Sequence, residues 1–135
     1  MVCILCDSKT KITNSRNNVL LGQTWRRHTC IRCYTVFTTR EAVDMSLSYR
    51  VERSDGSLEP FSRDKLMMSI YLALEHRDDG TESVSTLTNT IIGHLTKIKR
   101  LILPVQTIYE ITEQTLRHFS RPVALIYSAI NGPHR

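Results

Sequence analysis

The sequence predicts an α+β chain in two parts: a small β-rich N-terminal part, then a mainly helical part that opens with a short β-hairpin. Three observations predict it. All four cysteines fall in two Cys-x-x-Cys pairs, Cys3/Cys6 and Cys30/Cys33. An Asp55-Gly56 pair separates two extended runs. Beyond that hairpin, apolar residues recur at helical rather than alternating spacing.

The cysteine pattern is the most specific of these. Two residues between paired thiolates let one turn present both sulfurs to a single ion. Two facing turns complete the closed tetrahedral shell of structural zinc. The 23 residues from Asp7 to Thr29 suffice for a two-stranded excursion that returns to the metal. This is a zinc-ribbon signature, with one Zn²⁺ per chain. Paired disulfides are the competing reading and need an oxidising compartment. The first residues, MVCILCDSKT, carry no apolar core or cleavage site of a secretory signal, so a cytoplasmic setting is expected. His28 lies close to Cys30, but four thiolates already fill the shell, so it is left out of the ligand set.

Charge divides the chain unevenly. The whole sequence has 18 Lys+Arg against 13 Asp+Glu, and no acid occurs from Ser8 to Arg40. Lys9, Lys11, Arg16, Arg26, Arg27, Arg32 and Arg40 all lie in that span. Charge alone weighs equally for solvated side chains that balance the metal site and for a phosphate-binding face. Trp25 fits equally a small core and a surface role. No apolar run approaches membrane-spanning length, so no membrane partner is expected.

Along the chain, Thr10–Asn14 and Asn17–Thr24 read as strands around a polar turn, and Tyr34–Thr39 as a third. Arg40 to Ser46 reads as a connector, placing the domain boundary between residues 46 and 47. Leu47–Arg53 and Ser57–Phe61 form the hairpin, because Asp and Gly both tolerate positive φ. Ser62 is positioned to cap a helix carrying Leu66, Ile70 and Leu74 on one face. A second helix is predicted over Ser83–Ile98. A third starts after Pro104, with Ile108, Ile111 and Leu116 facing inward, and a fourth opens near Pro122.

Two longer motifs carry a family resemblance. Cys3-x-x-Cys6, Ser15-Arg16, Arg26-Arg27 before Cys30-x-x-Cys33, and Phe37-Thr38-Thr39-x-Glu41 together resemble the N-terminal zinc ribbon of the NrdR family, bacterial repressors of ribonucleotide reductase genes. Val51-x-Arg53-x-Asp55-Gly56-x-x-Glu59-Pro60-Phe61-x-x-x-Lys65-Leu66 resembles the ATP-cone those repressors share with ribonucleotide reductases. The resemblance implies a repressor that binds operator DNA through residues 1–46. Residues 47–135 would sense ATP and dATP and set the homo-oligomeric state. Trp25-Arg26-Arg27-His28 stands where the family has four arginines, and Leu125 where it has a tyrosine.

By resemblance, Val51 and Phe61 help form a nucleotide pocket, Arg53 and Lys65 meet phosphates, and Glu59 orients a neighbouring cation. From spacing alone, Arg53 and Lys65 are ordinary solvated charges. For duplex DNA the candidates are Arg16, Arg26 and Arg27, with Lys9, Lys11 and Arg32 as further phosphate contacts. No motif pairs a nucleophile with a base, so no enzyme activity is expected. The competing function is an interaction module that senses nucleotides and acts on a protein such as ribonucleotide reductase rather than on DNA.

Overall fold

The computed structural model describes residues 1–133. It divides into two compact units, Met1–Val43 and Asp44–Arg135. The division falls between residues 43 and 44 rather than 46 and 47, because Asp44 caps a short helix whose first residue, Met45, is buried in the second unit's core.

In the first unit three antiparallel strands, β1 (Thr10–Asn18), β2 (Gln23–Cys30) and β3 (Val36–Ala42), form a sheet in that order. The expected polar turn at Ser15-Arg16 is instead strand: those residues pair with Arg26 and Trp25. The chain reverses four residues later. There Asn18 Oδ1 accepts the Leu21 amide at 3.1 Å and Gly22 takes φ +61°. Turn chemistry, Asn followed by a residue free to adopt positive φ, outweighs local polarity. The strand β3 likewise runs on through Arg40–Ala42, which the sequence reading assigned to a connector.

Little apolar matter stabilises this sheet. Its buried residues are Cys3, His28 and Cys30. The His28 ring stacks on Phe37 at 5.1 Å between centroids, and its Nε2 lies 2.9 Å from Thr39 Oγ1. His28 is thus a core residue, with its ring nitrogens engaged by Thr39 and, at 3.4 Å, Thr10.

The second unit opens with α1 (Met45–Ser48) and a three-stranded sheet of order β5-β4-β6, from β4 (Arg50–Glu52), β5 (Leu58–Pro60) and β6 (Ile102–Pro104). The β4–β5 hairpin turns where expected: Gly56 has φ +83° and Asp55 Oδ1 accepts the Ser57 amide at 2.9 Å. The parallel strand β6 was not anticipated. Four longer helices follow the chain, α2 (Arg63–Leu74), α3 (Gly80–Thr96), α4 (Val105–Phe119) and α5 (Arg121–Asn131). Ser62 caps α2 by accepting the Lys65 amide at 3.2 Å. The α3 helix starts at Gly80 rather than Ser83. A Cβ there would meet the Leu74 carbonyl oxygen at 2.5 Å, so only glycine lets the new helix pass the end of α2. The core is built from Ile70, Leu74, Ile91, Leu95, Leu103, Leu116 and Val123, all fully buried. Ile108 and Ile111 pack against it partly buried, while Thr112 takes a fully buried position by donating to the Ile108 carbonyl at 2.7 Å.

Replacing His28 with alanine removes the stack on Phe37 and leaves two threonine hydroxyls without their ring partner. The expected cost is about 1–3 kcal/mol, confined to the first unit. Hydrogen exchange should accelerate at β2 amides and stay unchanged in α2 and α3; equal protection in β2 would contradict this role.

Candidate metal, nucleotide and nucleic-acid sites

The two cysteine turns face each other at one end of the first sheet. Cys3 and Cys33 sulfurs lie 3.5 Å apart, as do those of Cys6 and Cys30, and all four sulfurs fall within 4.8 Å of one another. Four Zn–S bonds of about 2.3 Å in a tetrahedron require sulfur separations near ~3.8 Å, so the cage has the right size. All four cysteines are free thiols. Backbone amides aim at sulfur: Leu5 N–H at Cys3 (3.4 Å), and Arg32 and Cys33 N–H at Cys30 (3.3 and 3.4 Å). The Thr35 hydroxyl, then its amide, hold the Cys33 thiol down to about 6, favouring the thiolate that a metal needs. The donor set fits one closed, four-thiolate ion.

The strand register sorts the cations by face. Cross-strand partners in an antiparallel sheet share a face, and faces alternate along each strand. The row Arg16–Trp25–Arg40 and the row Asn14–Arg27–Thr38 therefore lie on one face. Lys11, paired with Thr29, joins them across a bulge between Ile12 and Asn14. Arg26 pairs with Ser15 and Thr39 on the other face, where its Nη1 donates to Glu41 Oε2 at 2.8 Å. Of the expected trio, Arg16 and Arg27 share the face while the Arg26 guanidinium is engaged by Glu41, and all three line one hollow of about 510 Å³ with Asn14, Trp25, Thr38 and Arg40. Arg40, absent from the candidates, completes the face by lying 4.3 Å over the Trp25 ring. Its signal was the period of two along β3, hidden because Arg40 was read as connector. Lys9 and Arg32 are exposed near the cysteine turns, outside these rows.

In the second unit, Val51, Arg53, Glu59, Phe61 and Lys65 all line one cleft of about 260 Å³. Strand alternation brings this about: Val51 on β4 is paired with Glu59 on β5, and α2 starts just after Phe61, presenting Lys65 one turn in. Glu59 accepts from Arg53 at 2.9 Å and lies 3.9 Å from Lys65 Nζ. It holds both cations without neutralising them, leaving the rim with a positive surplus beside the α2 N-terminus. The opposite wall comes from α4 and α5, where the rings of Tyr109 and Tyr127 stack at 5.8 Å. Burial pushes the Tyr127 phenol up, so it stays a neutral hydrogen-bonding group. Sequence reading missed both tyrosines. Leu125 is 71% exposed, so the aromatic wall is supplied two residues further on by Tyr127. The cleft thus offers cations at one end and a flat aromatic wall, suiting a ligand with an anionic chain and a planar ring.

Comparison with known proteins agrees with this division of chemistry. The family described as the ATP cone domain matches residues 49–130. A transcriptional repressor NrdR from Anaplasma phagocytophilum is 31% identical over 117 residues, covering 86% of this chain and 76% of that protein. A transcriptional repressor NrdR from Halorubrum lacusprofundi is 29% identical over 138 residues, covering 98% of this chain and 85% of that one. Among the described residues no helix is long and apolar enough to cross a membrane. With a four-cysteine cage, a small strand-paired sheet and an ATP cone over most of its second unit, the chain belongs to the NrdR family of transcriptional repressors.

Proposed function

We propose that this protein is a cytoplasmic, ATP- and dATP-responsive repressor of ribonucleotide reductase genes. Its N-terminal ribbon binds operator DNA and its ATP cone sets the oligomeric state. The observation that carries the nucleotide half is the single cleft in which Arg53, Glu59 and Lys65 meet Val51, Phe61 and the tyrosine pair. Arg53 and Lys65 would take the phosphates. Arg53 offers a fork that Glu59 already orients, and Lys65 a mobile point charge. The Ser62-capped start of α2 adds a partial positive charge on the same side. The base would pack against the apolar strand residues and the tyrosines.

For DNA, the face carrying Lys11, Arg16, Arg27 and Arg40 supplies the reading, with Lys9 and Arg32 as peripheral phosphate contacts. Arg26 contributes through the sheet, by fixing β2 to β3 through Glu41. One Zn²⁺, held by Cys3, Cys6, Cys30 and Cys33, would supply the folding free energy that the small core lacks. Four thiolates close a tetrahedral shell, so the metal plays a structural part and leaves no open position for chemistry.

Removal of the metal should therefore unfold the ribbon and spare the cone. Zinc per chain, measured on protein purified without chelator, should equal one; after chelation, β1–β3 amides should lose exchange protection while α2–α5 keep theirs. An intact sheet without metal would contradict the assignment.

Arg53→Ala and Lys65→Ala should each weaken ATP and dATP binding about ten-fold or more, the loss of one charge-assisted phosphate contact. Calorimetry checks this. Tyr127→Phe is the companion variant, expected to retain the stack and most of the affinity. No heat with either nucleotide from the parent protein would remove the functional cone.

Duplex binding should weaken linearly in log salt. Arg16→Ala, Arg27→Ala and Arg40→Ala should each lower the slope by about one, and Arg26→Ala should leave it nearly unchanged. Light scattering with ATP, dATP or neither should give different masses, and duplex affinity should follow mass. Identical mass and affinity in all three states would point instead to a protein partner.

A further inference from the structure

The tip of the β1–β2 hairpin is apolar where an exposed turn is ordinarily polar. Val19 and Leu20 are 87% and 72% exposed. The turn closes on itself, with Leu21 N–H donating to the Asn18 side-chain Oδ1 at 3.1 Å and Gly22 N–H to the Val19 carbonyl at 3.4 Å. The two side chains therefore project from a fixed turn and take no part in the packing of the sheet. A hollow of about 480 Å³, lined by Arg16, Asn17, Asn18, Val19, Leu20 and Trp25, joins the tip to the cationic face.

That face decides the occupant. Lys11, Arg16, Arg27 and Arg40 lie on it, while the acids of this unit lie elsewhere: Asp7 in the first cysteine turn, Glu41 on the opposite side with Arg26. A cationic surface selects a polyanion. Phosphates alone have no use for an apolar prominence at its edge. A base step does, because apolar side chains enter between bases, partly unstack them and kink the duplex.

Resting on the DNA reading above, we propose that Val19 and Leu20 form a wedge that enters a base step of duplex DNA beside the phosphates held by the cationic face. The wedge bends the duplex and favours flexible pyrimidine–purine steps over stiff A-tracts. Sequence preference then arises partly from deformability, which reduces the number of base-edge contacts the ribbon must make.

The test uses the full chain, saturated with each nucleotide in turn, and end-labelled duplexes whose centre is either a TA step or an A-tract. Energy transfer between the ends reports bending. The parent protein should bend the TA-centred duplex and bind it more tightly than the A-tract. The double variant Val19→Ser/Leu20→Ser should bind the TA duplex about ten-fold more weakly, the equivalent of one buried aliphatic side chain. It should leave the duplex straight and keep its salt slope, zinc content and melting temperature. Val19→Ile/Leu20→Met should retain the bend. Unchanged bending and affinity in the serine variant would overturn the wedge, as would bending independent of the central step. A variant defect confined to the protein's own mass would assign the tip to a second copy of the chain. A defect confined to binding phosphatidylserine vesicles would assign it to a lipid surface. If the parent protein binds neither duplex in any nucleotide state, the DNA reading fails and takes the wedge with it. If the parent binds and the tip is silent, only the wedge fails.

Discussion

The cleft of the second unit depends on one pairing, β4 held between β5 and β6. Val51 is opposite Glu59 on one side and Leu103 on the other. The antiparallel side is local and sets the cations, since Arg53 and Glu59 leave the hairpin toward the same rim. The parallel side is remote, and it sets the aromatic wall. Leu103 is fully buried, and α4 begins directly after Pro104, so the ladder fixes where Val105, Ile108 and Tyr109 stand over the hairpin. Without β6 the two walls would have no common frame. The residues that hold the frame, Val51 and Leu103, contribute little polar chemistry, whereas the cations at the rim, Arg53 and Lys65, have side chains that are 52% and 72% exposed. Separation of scaffold from contact is what a binding cleft on a rigid element requires.

The first unit solves a different problem. Its sheet has too few apolar side chains to cover either face, so cohesion comes from the cysteine cage at one end and the His28–Phe37–Thr39 contact near its middle. A metal staple suits this because it concentrates folding free energy at one point and leaves the remaining surface free of core duties. The exposed face can then carry four cations and a tryptophan without an apolar stripe competing for the same positions. Arg40 over Trp25 shows how the two residue types share that surface, the ring supporting the guanidinium at 4.3 Å.

Much of this was legible in the sequence, for identifiable reasons. The cysteine cage was legible because thiolate spacing is a local property with a narrow geometric meaning. The hairpin was legible because Asp55-Gly56 states its own conformation. The five cleft residues were legible only as a family pattern, since neither periodicity nor charge brings Lys65 to Arg53. Besides Arg40 and the two cleft tyrosines, three features were hidden. The β1–β2 reversal went to polar Ser15-Arg16, although Asn18 and Gly22 carry the backbone signal and the polar pair simply faces solvent on a strand. Strand β6 was hidden because Ile102–Pro104 is only three residues long and pairs with a strand some fifty residues earlier. The separation of Arg26 from Arg27 follows from any strand assignment through Cys30, yet a run of basic residues invites reading as one patch. Alternation, applied to β2, would have divided it.

On the proposed function, the size of the cationic face explains why control belongs to assembly. Four cations neutralise few phosphates, and even single DNA-binding modules bury roughly 600–1,000 Å². One ribbon is therefore a weak reader whatever its detailed contacts. Coupling between two sites in a chain typically changes affinity by about 5–150-fold. Joining two weak readers at a matching spacing changes avidity by roughly 10²–10⁴-fold with no new contact to DNA. A nucleotide that selects among assemblies thus has a wider range than one that reshapes a single ribbon. Such a scheme also tolerates loss of arginines from the ribbon, because each loss is felt once per contact while geometry still multiplies the contacts. Arg26, diverted to Glu41, would then be one such contact whose loss assembly can offset.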